Sequence, residues 1–148
     1  MTLPEVPEIL LVEDNADDAE LMLRALRKRG IANPIRVARD GAEAVEALFG
    51  TGPEGLKGDP GRLQIVFLDL KLPRIGGLEV LRRIRQDERM NAVPVVVVTS
   101  SREETDLREA YLLGANSYIV KPVDFETFMS AVGTVGHYWL TLNQAPVR

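Results

Sequence analysis

Residues 65–73 read IVFLDLKLP: four apolar residues run together, and Asp69 then interrupts them. A run of this kind suits a strand buried on both faces, as in a parallel sheet. A carboxylate beside buried apolar chain has to be paired, protonated, bound to a cation or placed at a strand end, because uncompensated desolvation costs several kcal/mol. What stands near Asp69 therefore decides both the fold and the chemistry.

The chain has 148 residues, 45% of them hydrophobic. That length suits one domain, residues 1–148 with a core over about 8–142, burying roughly two-thirds of its unfolded surface. There is no cysteine and the one histidine is His137, which excludes disulfides, thiolate catalysis, cysteine-ligated zinc and His-rich metal sites. A net charge of −4 argues against a nucleic-acid footprint. The start, MTLPEVPEILLVEDNADD, lacks a basic n-region, and no apolar run approaches a membrane span; the expectation is a cytoplasmic protein with no membrane or nucleic-acid partner.

Outward from Asp69, β-branched runs alternate with amphipathic segments five times, the pattern of βα units around a doubly wound parallel α/β sheet with helices on both faces. The expected strands are Glu8 to Glu13, Ile35 to Arg39, Gln64 to Asp69, Val93 to Thr99 and Ser117 to Lys121. Ala19, Leu23 and Leu26 share a face of the first helix, and Leu78, Leu81 and Ile84 a face of the third. Ser101 and Glu104 form a candidate capping box for the fourth, and Asp124 caps the fifth. The segment GTGPEGLKGDPG, residues 50–61, has five glycines and two prolines and reads as a long surface loop.

In such a sheet the functional crevice lies at the carboxyl ends of the strands. The first ends in Glu13-Asp14, the third in Asp69, the fourth in Thr99-Ser100-Ser101 and the fifth in Lys121-Pro122. Singly, each has an ordinary explanation. Asp14 or Asn15 can cap the first helix, with Asp17 and Asp18 favourable in its first turn near the positive end of the macrodipole. Asp69 can serve a turn, Thr99 a strand end, and Lys121 can be solvated. Helix caps do not explain three carboxylates and a lysine on one edge.

The chemistry that uses this set is phosphoryl transfer to a carboxylate. Clustered acids form a hard-oxygen site for Mg²⁺, a cation that commonly shares its ligands with a phosphoryl group. Asp69 is then the nucleophile that forms an acyl phosphate, with Lys121 and the Thr99 hydroxyl on the phosphoryl oxygens. Such transfer relies on positioning and charge neutralisation.

The segments LLVEDN, FLDLKLPRIGGLEVL, VVVVTSS and GANSYIVKP, in this order and spacing, resemble the receiver domain of two-component response regulators over about residues 8–142. The resemblance implies a flavodoxin-like, chemotaxis-regulator-like fold with strand order 2-1-3-4-5 and a Mg²⁺-dependent acceptor of phosphoryl groups from a histidine kinase, not an enzyme acting on a separate substrate. It implies Glu13 and Asp14 as the acidic pair, Asp69 as phosphoacceptor, Thr99 as switch hydroxyl, Lys121 as the lysine and Tyr118 as switch aromatic. Lys71 would lend the metal a backbone carbonyl, and the Lys121-Pro122 bond would be cis. Glu13 stands where aspartate is common. The long Gly/Pro loop and the ending DFETFMSAVGTVGHYWLTL look like stand-alone receivers that serve phytochrome-type kinases.

Three rivals are weaker. A flavodoxin-like mononucleotide binder needs a phosphate cradle after the first strand, where EDNADD presents anions. A phosphatase of the haloacid dehalogenase kind would carry a second aspartate where Lys71 stands. A receiver reduced to a protein-interaction module would not need the intact acid, hydroxyl and lysine set. The last helix, from Asp124 to about Leu142, suggests a homodimer through the fourth helix, fifth strand and fifth helix. Phe128, Val132, Val135, Trp139 and Leu142 are expected to form its outward stripe, and Phe125, Met129 and Leu140 its core-facing set. A fold-back of Tyr138 and Trp139 onto LPEVPEI is the alternative.

Overall fold

The computed structural model describes residues 8–50 and 62–146. Most of the Gly/Pro loop, and most of the LPEVPEI segment to which a fold-back was assigned, lie outside the described residues.

Five strands and five helices alternate: β1 Glu8–Val12, α1 Ala16–Lys28, β2 Ile35–Ala38, α2 Gly41–Phe49, β3 Leu63–Leu68, α3 Gly77–Gln86, β4 Val95–Thr99, α4 Glu104–Leu112, β5 Ser117–Val120 and α5 Phe125–His137, continued by a π-helical turn over Tyr138–Leu142. All pairings are parallel, in the order β2-β1-β3-β4-β5. The strand expectations hold to within two residues. Glu13, Arg39, Asp69 and Lys121 fall just past the ladder, at its carboxyl edge. Before β4, Pro94 has no N–H to give, and the paired strand begins after it.

Alternate side chains along each strand feed two apolar layers. Leu10, Val12, Val66, Leu68, Val95 and Val97 face α2, α3 and α4. Ile9, Leu11, Ile65, Phe67, Val96 and Val98 face α1 and α5. Leu81 and Ile84 of α3 are buried as expected, whereas α1 buries Ala19, Met22, Ala25 and Leu26, with Leu23 off the fully buried stripe.

Three local expectations need correction. The Ser101–Glu104 capping box does not form: α4 has no side-chain cap bond. Ser101 Oγ instead accepts the Glu103 N–H at 3.3 Å and donates to Asp106; Glu103 is the N-cap of α4, so Ser101 stands two residues before the position from which a capping box forms. The Lys121-Pro122 bond is trans, since the described residues contain no cis peptide. Trans is the ordinary preference of an X-Pro bond by about 0.5–1 kcal/mol, and in this form Lys121 already reaches its acidic partners. The expected division of α5 holds only in part: Met129 and Leu140 pack on the α1-side layer and Leu142 is exposed, as expected, but the rest of the stripe expected outward turns in and Phe125 turns out. Phe128 and Val132 are buried, Val135 and Trp139 pack on the α1-side layer, and Phe125 is 60% exposed. A side chain at Gly136 would strike Leu26; the bare glycine lets α5 settle on α1 with the Phe128–Trp139 stripe inward. Asp124 caps α5 as expected, accepting the Thr127 N–H at 3.0 Å.

Candidate functional site

The register delivers the charged residues to one place. Val12 pairs with Leu68 and Leu68 with Val97, so Glu13 and Asp69 emerge side by side at the carboxyl edge. Asp69 N–H donates to the Val12 carbonyl at 3.0 Å, and Lys121 N–H to the Thr99 carbonyl at 2.8 Å. Asn15, not Asp14, caps α1, its side chain accepting the Asp18 N–H at 2.9 Å. Asp14 is thereby left exposed beside Glu13.

Lys121 Nζ sits among three carboxylates, 2.7 Å from Glu13 Oε1, 2.9 Å from Asp18 Oδ2 and 3.1 Å from Asp69 Oδ2. Burial opposes its charge, yet Glu13 and Asp18, then Asp69, outweigh burial and hold the ammonium above the ordinary lysine range. Glu13 is 1% exposed. Burial lifts its carboxyl from 4.5 to about 7, against the lowering influence of Lys121 and with a further push from Asp69.

One carboxylate oxygen from each of Glu13, Asp14 and Asp69 lies within 4.8 Å of the others. Glu13 Oε2 accepts the Asn15 N–H at 3.1 Å. Oε1 is buried and touches Lys121 without an aligned hydrogen bond. Three hard carboxylate oxygens this close together, with a buried Glu13 Oε1 that has no aligned hydrogen bond, fit a divalent cation of the Mg²⁺ or Mn²⁺ kind.

Thr99 is fully buried beside this cluster, its Oγ1 accepting the Ser101 N–H at 3.4 Å. Tyr118 packs inward on the α3-side layer and donates its hydroxyl to the Ser101 carbonyl at 3.2 Å, so its inward placement does not await a phosphoryl group. Burial raises the Tyr118 phenol, which stays neutral. The Lys71 N–H donates to Asp69 Oδ1 at 3.2 Å, while its ammonium turns away to Asp106 at 2.9 Å. Beneath Asp69, α3 begins at Gly77, where a side chain would collide with the Asp69 carbonyl.

Every residue expected on the carboxyl edge is thus brought to it, and Glu13, Asp69 and Lys121 are in direct contact. Two participants escaped the sequence reading. Asp18 looked like a macrodipole residue; its signal was its place on the first turn of a helix that starts two residues after the Glu13-Asp14 pair. Asp106 lies only five residues after Ser101, but its ion pair with Lys71 reaches across from the β3–α3 loop and has no local signal.

A family model described as the response regulator receiver domain matches residues 9–133. The probable methanogenesis regulatory protein FilR2 of Methanothrix harundinacea is 43% identical over 138 residues, spanning 93% of this chain and 86% of that one. The phosphorylated cyanobacterial phytochrome response regulator RcpA superposes with a TM-score of 0.87 at 32% identity, covering 96% of this chain and 99% of its own. The Mn²⁺-bound form of response regulator Rcp1, a Synechocystis protein, gives 0.86 at 33% identity over 95% and 99%. With the parallel 2-1-3-4-5 sheet and the acidic edge already described, these matches establish that the chain belongs to the response regulator receiver domain family of two-component signalling.

Proposed function

We propose that this chain, acting as a single receiver unit over about residues 8–142, accepts a phosphoryl group from a histidine kinase onto Asp69. The observation that carries the reading is the contact of Lys121 with both Glu13 and Asp69 at the strand ends. An Asp69 carboxylate oxygen attacks phosphorus, the bond from phosphorus to the kinase histidine nitrogen breaks, and that nitrogen keeps the electron pair. Glu13, Asp14, Asp69 and the Lys71 carbonyl would hold Mg²⁺, and the cation would supply positive charge against the incoming phosphoryl group. Lys121 and the Thr99 hydroxyl contact the phosphoryl oxygens, and water attack at phosphorus later restores the free carboxylate. Thr99 and Tyr118 then pass the change to the α4, β5 and α5 surface.

A cytoplasmic phytochrome-type sensor kinase is the proposed partner. The support is the likeness to RcpA over nearly the whole of both chains; no described helix is long and apolar enough to cross a membrane. The same surface pairs two copies: β5 is an edge strand, and Leu107, Tyr111 and Leu112 of α4, Val123 and Phe125 are exposed. Apolar and aromatic side chains clustered in this way characterise interfaces.

Incubation with acetyl phosphate and Mg²⁺, read by intact mass, tests the reading. One added phosphoryl group is expected, absent in Asp69→Asn and absent in excess chelator. A group that persists in either condition would refute the assignment.

A further inference from the structure

Of the three carboxylates on Lys121, two have a second employment. Glu13 and Asp69 belong to the cation-grade cluster with Asp14, whereas Asp18 stands outside it. A dication drawn to Glu13 and Asp69 would take both from Lys121 and repel its ammonium as well. Asp18 is the one acidic partner of Lys121 that this competition leaves in place. Its backbone is fixed by the Asn15 cap at 2.9 Å, and the Lys121 backbone by Thr99 at 2.8 Å, so their side chains, bonded at 2.9 Å, stitch α1 to the end of β5 across the mouth of the site.

We infer that Asp18 is a positioning residue for Lys121: it keeps the ammonium beside Asp69 when the cation claims Glu13 and Asp69, and so allows cation and lysine to occupy one small site together. The inference rests on the proposed cation site. Asp18 touches neither the cation cluster nor the phosphoryl position; its influence passes through Lys121. Without it, Lys121 has, among the described residues, only Glu13 and Asp69 as acidic partners and competes with the cation for both.

The test is Mn²⁺ binding to the unphosphorylated full chain, followed by the free-ion paramagnetic resonance signal. Asp18→Asn keeps the size of the side chain and should weaken Mn²⁺ binding about tenfold, the scale of one charged contact. Asp17→Asn removes the same charge from the same helical turn and should change it by less than about twofold, as expected of an exposed charge. In a Lys121→Ala background, Asp18→Asn should have no further effect, the signature of two groups acting as one. Equal weakening by Asp17→Asn, an Asp18→Asn effect that survives without Lys121, or no effect of Asp18→Asn at all would overturn the role of Asp18 alone. A wild-type protein that takes up no Mn²⁺ would overturn the cation site itself, and the inference with it.

Discussion

Lys71 Nζ lies 2.9 Å from Asp106 Oδ2, so the residue two places after Asp69 is tied to the first turn of α4. Asp106 also takes the Ser101 hydroxyl, two places after Thr99. Its carboxyl is held below the ordinary aspartate range by Ser101 first and Lys71 second. Both loops of the site therefore report to one side chain of α4.

Asp106→Ala should loosen α4 more than it destabilises the protein. The Lys71 side chain is 56% exposed, so the ion pair is worth at most about 0.5 kcal/mol, with about 1 kcal/mol more from the Ser101 hydrogen bond. Amide exchange in the first turn of α4 should rise roughly tenfold, about 1.4 kcal/mol of local opening, while the β3 core is unchanged. Equal protection of α4 in wild type and variant would remove Asp106 as a tie.

The metal-free protein should lose stability as pH rises from about 4.5 to about 7. In that window folded Glu13 holds a proton that the unfolded chain has released; the unfolded state binds fewer protons, so the slope of stability with pH is negative. The raised Lys121 contributes its stability throughout this range, below the ordinary lysine value. In chelator, Glu13→Gln should flatten the slope and exceed wild type at pH 8 by up to roughly 3 kcal/mol, with the gap closing by pH 5. Urea melts across this range decide it; parallel curves for the two proteins would contradict the burial of a strained carboxyl.

Arg74 has φ of 71° in the β3–α3 loop, a left-handed conformation that costs a non-glycine residue about 1 kcal/mol. Its contact with Asp40 at 3.7 Å comes from a side chain 70% exposed and offsets little of this. Arg74→Asn, which tolerates that conformation, should raise the melting temperature by about 2–4 °C. A lower melting temperature would show that the arginine side chain stabilises the loop.

Trp139→Ala and Tyr111→Ser should separate the core from the proposed dimer surface. Trp139 packs on the α1-side layer and meets Tyr138 edge to face at 5.1 Å, so its loss should cost about 2–3 kcal/mol, less than a fully buried Trp, and leave the oligomeric state alone. Tyr111 is 50% exposed; its substitution should barely alter stability yet shift the mass by light scattering toward the monomer. If Trp139→Ala gives a monomer while Tyr111→Ser stays dimeric, the α4, β5 and α5 interface is in the wrong place.

Features carried by period and by chain ends were legible in advance: the five strands, the acids at Glu13, Asp14 and Asp69, the lysine at Lys121 and the Asp124 cap. Each depends on residues close in sequence or on the rule that strand ends meet at one edge. Ser101 does not cap because α4 starts with Glu103 as its N-cap, and the Ser101 hydroxyl goes to Asp106 in the first turn of that same helix. On α5 the apolar period places Met129 and Leu140 inward and Leu142 outward, but it does not show that Phe128, Val132, Val135 and Trp139 also turn inward, which depends on how closely α1 can approach Gly136. Asp18 was seen but assigned to the helix dipole, since nothing local reveals that Lys121 reaches it.

Gly77 carries no functional group, yet the first turn of α3 rests against the peptide that carries Asp69 only because position 77 is bare. A single methyl there would push Asp69, the proposed phosphoacceptor, off its mark while every charge, hydroxyl and carboxylate oxygen stayed in the chain. A signalling-dead variant can therefore arise from a residue that no inventory of reactive groups would include, and a tolerance map of this protein should show an island of intolerance at position 77 as sharp as the one at Asp69.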